Sequence, residues 1–304
     1  MPKSLPRIAI LMASYNGEEW IAEQIQSILR CSNVVTHIFL SDDGSTDNTV
    51  AIARDVGGSD ITILPTKRQG SAGANFYRLI LDTPWDDFDF VALADQDDIW
   101  VPTKLARAVT SIQSGGYAAY SSDVIAFWPD NRTLYIRKSQ PQRKWDHLFE
   151  GGGPGNTFVW PRVEADFLRE RLLASDPDVL AATAPHDWLF YAIFREAGKS
   201  WLIDEYSGLN YRQHGANVMG AATGPAVILK RVKMLRNQWY RSQVLNIAHI
   251  TSAENPVLNF VRAPTLINVW NALAISRHCR RKRRDTVALM IFFFLMAVRH
   301  KSKE

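Results

Sequence analysis

The 304-residue chain has 46 % hydrophobic and 22 % charged residues, a globular composition with ample core-forming material for one large domain, with or without an appendage. Its net charge of +4 hides an asymmetry: residues 1–229 carry 20 Lys/Arg against 28 Asp/Glu, and residues 230–304 carry 15 against 3. An acidic body repels nucleic acid, Cys31 and Cys279 form no metal or redox spacing, and Met1 to Arg7 lacks the apolar run of a signal peptide, so a cytoplasmic protein is expected.

Arg7 to Ser14 is a short apolar run suited to the inside of a parallel sheet, and Tyr15-Asn16-Gly17 breaks it. Trp20, Ile21, Ile25, Ile28 and Leu29 then recur at helical spacing to about Arg30. A second strand, His37 to Leu40, leads into Ser41-Asp42-Asp43-Gly44-Ser45-Thr46-Asp47, where Thr46 or Asp47 can cap a helix through Arg54. Ile61 to Leu64 predicts a third strand and Ala74 to Leu81 a helix. Phe88 to Ala94 predicts a fourth strand, with a helix over 102–114. Alternating strands and helices with short connections predict a parallel α/β sheet. Ligands of such sheets lie beyond the carboxyl ends of the strands, where Tyr15-Asn16, Asp42-Asp43 and the Asp95–Asp98 cluster all fall.

Asp95, Asp97 and Asp98 crowd three carboxylates into four residues at the end of a buried strand. They repel one another and lose hydration, and a hard divalent cation such as Mg²⁺, shared with substrate phosphates, would compensate them. The alternative is a capped turn, with Asp97 or Asp98 at the start of the next helix. There is no Gly-x-Gly-x-x-Gly after the first strand and no Walker-type loop. Gly151-Gly152-Gly153-Pro154-Gly155 reads as a flexible turn, because Pro154 removes a donor and no helix follows at once.

Residues 117–160 are mixed, with strand-like stretches at Tyr117 to Asp123, Val124 to Trp128 and Thr157 to Trp160, and a helix follows over 162–173. In Pro185-His186-Asp187-Trp188, Pro185 suits a first helical turn, which places Asp187 where the helix dipole favours its ionised form. Alone, such a residue would simply stabilise the helix start. Short strands at Leu202 to Asp204 and Leu209 to Arg212 lead to Gln213-His214-Gly215-Ala216-Asn217.

Together, Ala13-Ser14-Tyr15-Asn16-Gly17, Ser41-Asp42-Asp43-Gly44-Ser45-Thr46-Asp47 and Ala94-Asp95-Gln96-Asp97-Asp98-Ile99-Trp100 resemble the family 2 inverting glycosyltransferases of the A-type nucleotide-diphosphosugar fold. The resemblance covers roughly residues 7–217, and His186-Asp187-Trp188 with the block 211–217 is similar to a rhamnosyltransferase-like subgroup. It implies a catalytic domain over 1–222, with a nucleotide-sugar half to about 115 and an acceptor half from 116. It also implies that Ser14, Tyr15, Asn16, Asp43, Arg68 and Asp95 contact the nucleotide sugar. Asp43 would accept from the pyrimidine N–H, with Arg68 or Lys67 standing in for a basic donor contact. Asp97 and Asp95 would hold Mg²⁺ or Mn²⁺, Asp98 would belong to the metal shell or cap the helix, and Asp187 would be the catalytic base. His186, Trp188 and His214 would lie on the acceptor side. The implied donor is dTDP-L-rhamnose, with a UDP-hexose as alternative. The implied acceptor is a saccharide, lipid-linked or free, of a surface polysaccharide. A non-catalytic binding module with a basic tail is the competing reading.

Residues 226–250 and 256–275 carry apolar residues at helical spacing. The run from Arg277 to Arg284 then holds six Lys/Arg, and Val287 to Val298 has no charge. Twelve apolar residues are too few to cross a bilayer, which needs about 20. Between basic clusters they suit an interfacial anchor on anionic lipid, so residues 223–304 are expected to form a helical tail on the inner membrane face.

Overall fold

A computed structural model describes residues 4–214 and 238–301, with side chains to residue 298. The four apolar runs at the start of the chain become β1 (Arg7–Ser14), β2 (Val35–Asp42), β3 (Ile61–Ile63) and β4 (Phe90–Ala94), separated by α1 (Ile21–Leu29), α2 (Thr49–Gly57) and α3 (Ala72–Asp82). The N-cap of α2 is Asn48, neither of the two expected residues, and Asp47 just before it accepts the N–H of Thr49 at 3.0 Å. After β4 come β5 (Ile99–Trp100), α4 (Lys104–Gly115), β6 (Ala119–Ser122), β7 (Val124–Phe127) and β8 (Thr133–Ile136). Then follow β9 (Val159–Pro161), α5 (Arg162–Leu173), α6 (Pro177–Ala181), α7 (His186–Glu196), β10 (Trp201–Asp204) and β11 (Leu209–Arg212).

Seven strands form one sheet in the order β10-β6-β9-β4-β1-β2-β3. All its pairs are parallel except those of β9, which runs against both β4 and β6. The smaller sheet has the order β5-β11-β7-β8. Side chains of β1 alternate between two cores. Ile8, Ile10 and Met12 join α1 and α4 on one face, while Ala9, Leu11 and Ala13 join α3, α5 and α7 on the other. A strand buried on both faces reads as a continuous apolar run, which is why β1 and β4 stand out in the sequence. Ser14 pairs with Asp42 and Met12 with Ala94, so β1, β2 and β4 deliver their polar ends to one edge.

The tail folds onto this body. Helices α8 (Trp239–Thr251), α9 (Pro256–Arg262), α10 (Val269–Ile275) and α11 (Arg283–Lys301) share one continuous buried cluster with α3, α5 and α7. Phe293 packs edge-on to Phe149 at 5.9 Å and to Phe260 at 5.2 Å, and Tyr240 stacks on Trp188 at 5.4 Å. The expected boundary at 222–223, and residues 226–237 of the expected helix, lie outside the described residues. Among the described residues no helix is long and apolar enough to cross a membrane.

Candidate active site

The turn after β1 is tied to the turns after β2 and β4. Tyr15 donates its N–H to Gln96 Oε1 at 2.8 Å, and Gln96 Nε2 returns a bond to the Tyr15 carbonyl at 2.9 Å. Asn16, at φ 45°, donates its N–H to Ser45 Oγ at 2.8 Å and accepts from the N–H of Thr46 at 2.9 Å. Asparagine tolerates this left-handed geometry better than most residues. A Cβ at Gly17 would stand 2.3 Å from the Gln96 amide, so a larger residue here would displace that amide from Tyr15. Ser14 is turned inward and donates to Asp42 Oδ1 at 2.9 Å, and Asp42 also accepts from the N–H groups of Gly44 (3.0 Å) and Ser45 (2.7 Å). Tyr15 is left 47 % exposed.

Asp43 is buried and accepts backbone N–H groups from Gln69 and, at 3.0 Å, Gly70. It thereby fastens the loop 65–70, on which Arg68 is exposed. Arg78 of α3 supports that loop from beneath. Buried itself, it donates to the carbonyls of Pro65 and Lys67 and, at 3.1 Å, to Ser41 Oγ, and pairs with Asp82 at 3.3 Å. Sequence reasoning did not single out Arg78, whose role depends on contacts 11 and 37 residues away.

Between β4 and β5 the acidic cluster folds over a largely buried site. Asp98 is fully buried and is not a helix cap, since it accepts Asn156 Nδ2 at 2.5 Å and the N–H of Arg212 at 3.1 Å. Asp97 accepts from His214 Nε2 at 2.7 Å, and the imidazole is stacked on Trp20 with centroids 3.9 Å apart. His214 therefore stands at the acidic cluster itself, where the expectation had put it on the acceptor side. Burial, reinforced by Asp97 and Asp187, pushes the half-buried Asp95 carboxyl up to about 8. Burial and the neighbouring Asp97 and Asp95 likewise raise Asp98 well above the usual carboxylate range. The Tyr211 hydroxyl is raised by burial and by all four charges, Asp95, Asp98, Asp97 and Asp187. Lys104 faces Asp98 from a buried position, its Nζ 3.4 Å from the Trp100 ring centroid, but burial pulls its own pKa down to about 7. Burial and mutual proximity thus disfavour the ionised forms of Asp95 and Asp98, and the protein surroundings do not offset this. Among the described residues no three His, Cys, Asp or Glu side chains form a complete metal site.

Asp187 enters this field from the first turn of α7, where its Oδ1 accepts the N–H of Trp188 at 2.7 Å. Two glycines let the start of α7 come close. A Cβ at Gly73 would lie 2.2 Å from the Ala184 carbonyl oxygen and one at Gly155 2.5 Å from His186 Nε2, while Gly151 lies in ordinary contact with the backbone of Trp188. The glycine-rich segment is accordingly no flexible turn. Gly153 sits at φ 145°, Gly155–Thr157 closes a 3-10 turn, and Asn156 is presented to Asp98 from it. His186 stacks on Phe76 at 4.1 Å, and its buried Nε2 has no hydrogen-bond partner among the described residues. Trp188 corrects an expectation: only 6 % exposed, it donates Nε1–H to the His147 carbonyl at 2.8 Å and packs in the core, so it does not face an acceptor.

The basic run is also partly internal. Arg281 is buried, donates Nη2–H to the Gly151 carbonyl at 2.6 Å and its N–H to Glu150 at 2.6 Å, and lies 3.6 Å from Asp146. Arg280 bonds the Phe149 carbonyl at 2.7 Å and pairs with Glu150 and Asp285. These two cations brace the body.

The family profile of glycosyl transferase family 2 matches residues 9–167. The dTDP-rhamnosyl transferase RfbG of Shigella flexneri is 36 % identical over 290 residues, which cover 93 % of this chain and 99 % of that protein. The UDP-Glc:alpha-D-GlcNAc-diphosphoundecaprenol beta-1,3-glucosyltransferase WfgD of Escherichia coli is 32 % identical over 104 residues, 34 % of this chain and 40 % of WfgD. Among solved structures, S. aureus TarS 1–349 in complex with UDP-GlcNAc superposes with a TM-score of 0.53 at 13 % identity, covering 88 % of this chain and 79 % of that one. The mannosyltransferase PcManGT from Pyrobaculum calidifontis, in complex with GDP-Man and Mn²⁺, gives 0.53 at 13 % identity over 100 % of this chain and 89 % of that one. The architecture is the A-type nucleotide-sugar transferase fold, and with the profile match and the full-length likeness to RfbG, the chain belongs to glycosyl transferase family 2.

Proposed function

We propose that the protein is an inverting glycosyltransferase that moves L-rhamnose from dTDP-L-rhamnose to a saccharide acceptor in surface-polysaccharide assembly. The observation that carries the mechanism is the arrival of Asp187, some 90 residues along the chain, in the field of Asp95 at the strand ends. The RfbG likeness over nearly all of both chains supports the donor and the pathway. Tyr15, Asn16, Arg68 and Asp43 border the donor nucleotide, with Ser14 holding the turn through Asp42. Asp43 keeps capacity for a pyrimidine N–H, because a carboxylate offers about four lone-pair sites. Asp97 and Asp95 would hold a divalent cation, Mg²⁺ or Mn²⁺. Burial, reinforced by the neighbouring carboxylates, disfavours the ionised forms of Asp95 and Asp98, which a bound cation would favour, and PcManGT carries Mn²⁺ with its nucleotide sugar. When bound, that ion neutralises charge on the departing diphosphate.

Asp187 takes the proton of the acceptor hydroxyl, whose oxygen bonds to the anomeric carbon from the face opposite the leaving group. The bond from that carbon to the diphosphate oxygen breaks, and dTDP leaves with the electron pair. Asp187→Asn retains a side-chain acceptor for the Trp188 N–H but supplies no base. The expected result is donor affinity and melting temperature near the parent, with transfer lowered by roughly 10²–10⁴-fold. Near-parental transfer refutes the role. Calorimetry with dTDP-L-rhamnose, UDP-glucose and UDP-galactose in Mn²⁺ or Mg²⁺ separates the rhamnosyl reading from a UDP-hexose one. Binding of none of them would leave the non-catalytic module.

The protein is further proposed to rest on the anionic inner face of the cell membrane. Val287, Ile291, Phe294, Leu295 and Val298 form an exposed apolar stripe on α11, opposite the buried Leu289, Phe293 and Ala297. Arg283 and Arg284 are exposed at its start, and Ile267 and Trp270 are exposed nearby in sequence.

A further inference from the structure

The chain enters α7 through residues 182–185, and side chains from 59 to 106 residues away hold two consecutive peptide groups of that entry. In the first group, the Ala182 carbonyl accepts Gln243 Nε2–H at 3.1 Å and Asn246 Nδ2–H at 3.3 Å. In the second, the Thr183 carbonyl accepts the Tyr77 hydroxyl at 2.6 Å, and the Ala184 N–H donates to Gln243 Oε1 at 3.0 Å. The Gln243 amide thus bridges the two groups as the backbone of a neighbouring strand would. It is 3 % exposed and Tyr77 is 4 % exposed, so water does not compete for these bonds.

Tyr77 belongs to α3, whereas Gln243 and Asn246 belong to the tail helix α8. Tyr240, one turn earlier on α8, stacks on Trp188 at 5.4 Å. The tail therefore touches the chain both before and after Asp187. Pro185, between the held peptide groups and Asp187, has little freedom in φ, and its carbonyl takes a bond of the first helical turn from Leu189 at 3.0 Å. A displacement at Ala184 consequently moves the Asp187 carboxylate.

We infer that Gln243, seconded by Tyr77, is a positioning residue for Asp187, through which the tail sets where the carboxylate meets the acceptor hydroxyl. This rests on the reading of Asp187 as the base. A base has to lie within hydrogen-bond reach of the proton it takes, and a misplacement of about 1 Å can cost roughly 10²-fold in rate. A glutamine that only satisfied buried backbone groups would contribute to stability and leave that geometry alone.

The test is a double-variant cycle on the full chain in Mn²⁺. It reads release of dTDP from dTDP-L-rhamnose with water in the acceptor's place, so no acceptor has to be identified. Asp187 takes a proton from that water, whose oxygen bonds to the anomeric carbon as dTDP leaves with the electron pair. Gln243→Met keeps the volume and leaves the Ala182 carbonyl to Asn246. It should lower kcat by roughly ten- to a hundredfold with dTDP-L-rhamnose affinity near the parent, and Tyr77→Phe should lower kcat in the same sense. In the Asp187→Asn background each should change kcat by less than about twofold, because a residue that acts through the base has nothing left to act on. A loss by the same factor in both backgrounds overturns the inference and makes the two residues structural only. Near-parental kcat in Gln243→Met overturns it while the base reading stands. Near-parental kcat in Asp187→Asn alone sinks the base reading, and this inference with it. Hydrogen exchange over residues 182–188 gives a readout independent of turnover. It should quicken in Gln243→Met with exchange in β1 unchanged, and unchanged exchange over 182–188 overturns the inference. Should Gln243→Met melt below the assay temperature, Gln243→Asn, whose amide falls one carbon short of Ala184, is read in the same cycle.

Discussion

The imidazole of His186 is stacked on Phe76 with Nε2 against Gly155, and burial lowers its pKa to about 4 although the Asp187 charge works the other way. In the unfolded chain the same ring titrates near 6.5. Between those values the unfolded state binds the extra proton, so stability rises with pH across the window and is lost as pH falls from 6.5 towards 4. Since a tenfold change in proton affinity is worth about 1.4 kcal/mol, the effect is at most on the order of 3 kcal/mol. Asp95 and Asp98, whose raised pKa values act with the opposite slope, are common to both proteins, so on going from pH 7 to pH 5 the melting temperature of the parent should fall relative to that of His186→Gln. An equal pH dependence in that variant would place its origin elsewhere. The place of Asp187 in the first turn of a helix could be read from the sequence because Pro185 and its neighbours form a short local signal. Asn156 and Arg212 could not, since they reach Asp98 from 58 and 114 residues away and no local pattern announces such pairs. Trp188 was misread for the same reason: the motif is local, while its indole packs on Tyr240, far along the chain.

At the level of elements, α7 reaches the strand ends because glycines remove atoms from its path. Gly73 lies in the first turn of α3, where alanine would ordinarily favour the helix by about 1 kcal/mol. Here the added Cβ would stand 2.2 Å from the Ala184 carbonyl oxygen, a backbone atom that cannot rotate aside. Gly73→Ala should therefore destabilise by roughly 1–3 kcal/mol, reversing the propensity, and should lower transfer by displacing Asp187. A stabilised variant with full activity would show that the 184–187 segment yields freely. The parallel strands were legible because each is an apolar run closed by a polar cluster, and α5 matches its expected span at Arg162–Leu173. The glycine-rich segment was not, because the absence of a following helix describes local chain preference and is silent on tertiary packing. Its order comes from Ser121, Tyr191, Trp201 and Arg281, none of them a sequence neighbour.

Across the whole molecule, α11 has two apolar faces with different surroundings. Phe293 is fully buried between Phe149 and Phe260, so Phe293→Ala should cost about 3–5 kcal/mol and lower the melting temperature. Ile291 and Phe294 stand exposed on the other face, so Ile291→Asp with Phe294→Asp should leave the melting temperature nearly unchanged while reducing sedimentation with anionic vesicles. Vesicle binding that persists in that double variant would remove the stripe from the membrane contact. The charge asymmetry of the sequence marked the tail off from the body but did not reveal that Arg280 and Arg281 turn inward to Glu150 and Asp146.

The bond from Arg281 to the Gly151 carbonyl also has a consequence for biosynthesis. At translation rates of about 5–20 residues per second, α7 is made several seconds before α11. Throughout that interval the nascent chain displays Phe149 without Phe293, and for its first part Trp188 without Tyr240. A ribosome that stalls in this stretch releases a sticky, unfinished polypeptide. Chaperone capture of the growing chain and rapid proteolysis of stalled products follow from the late arrival of one helix.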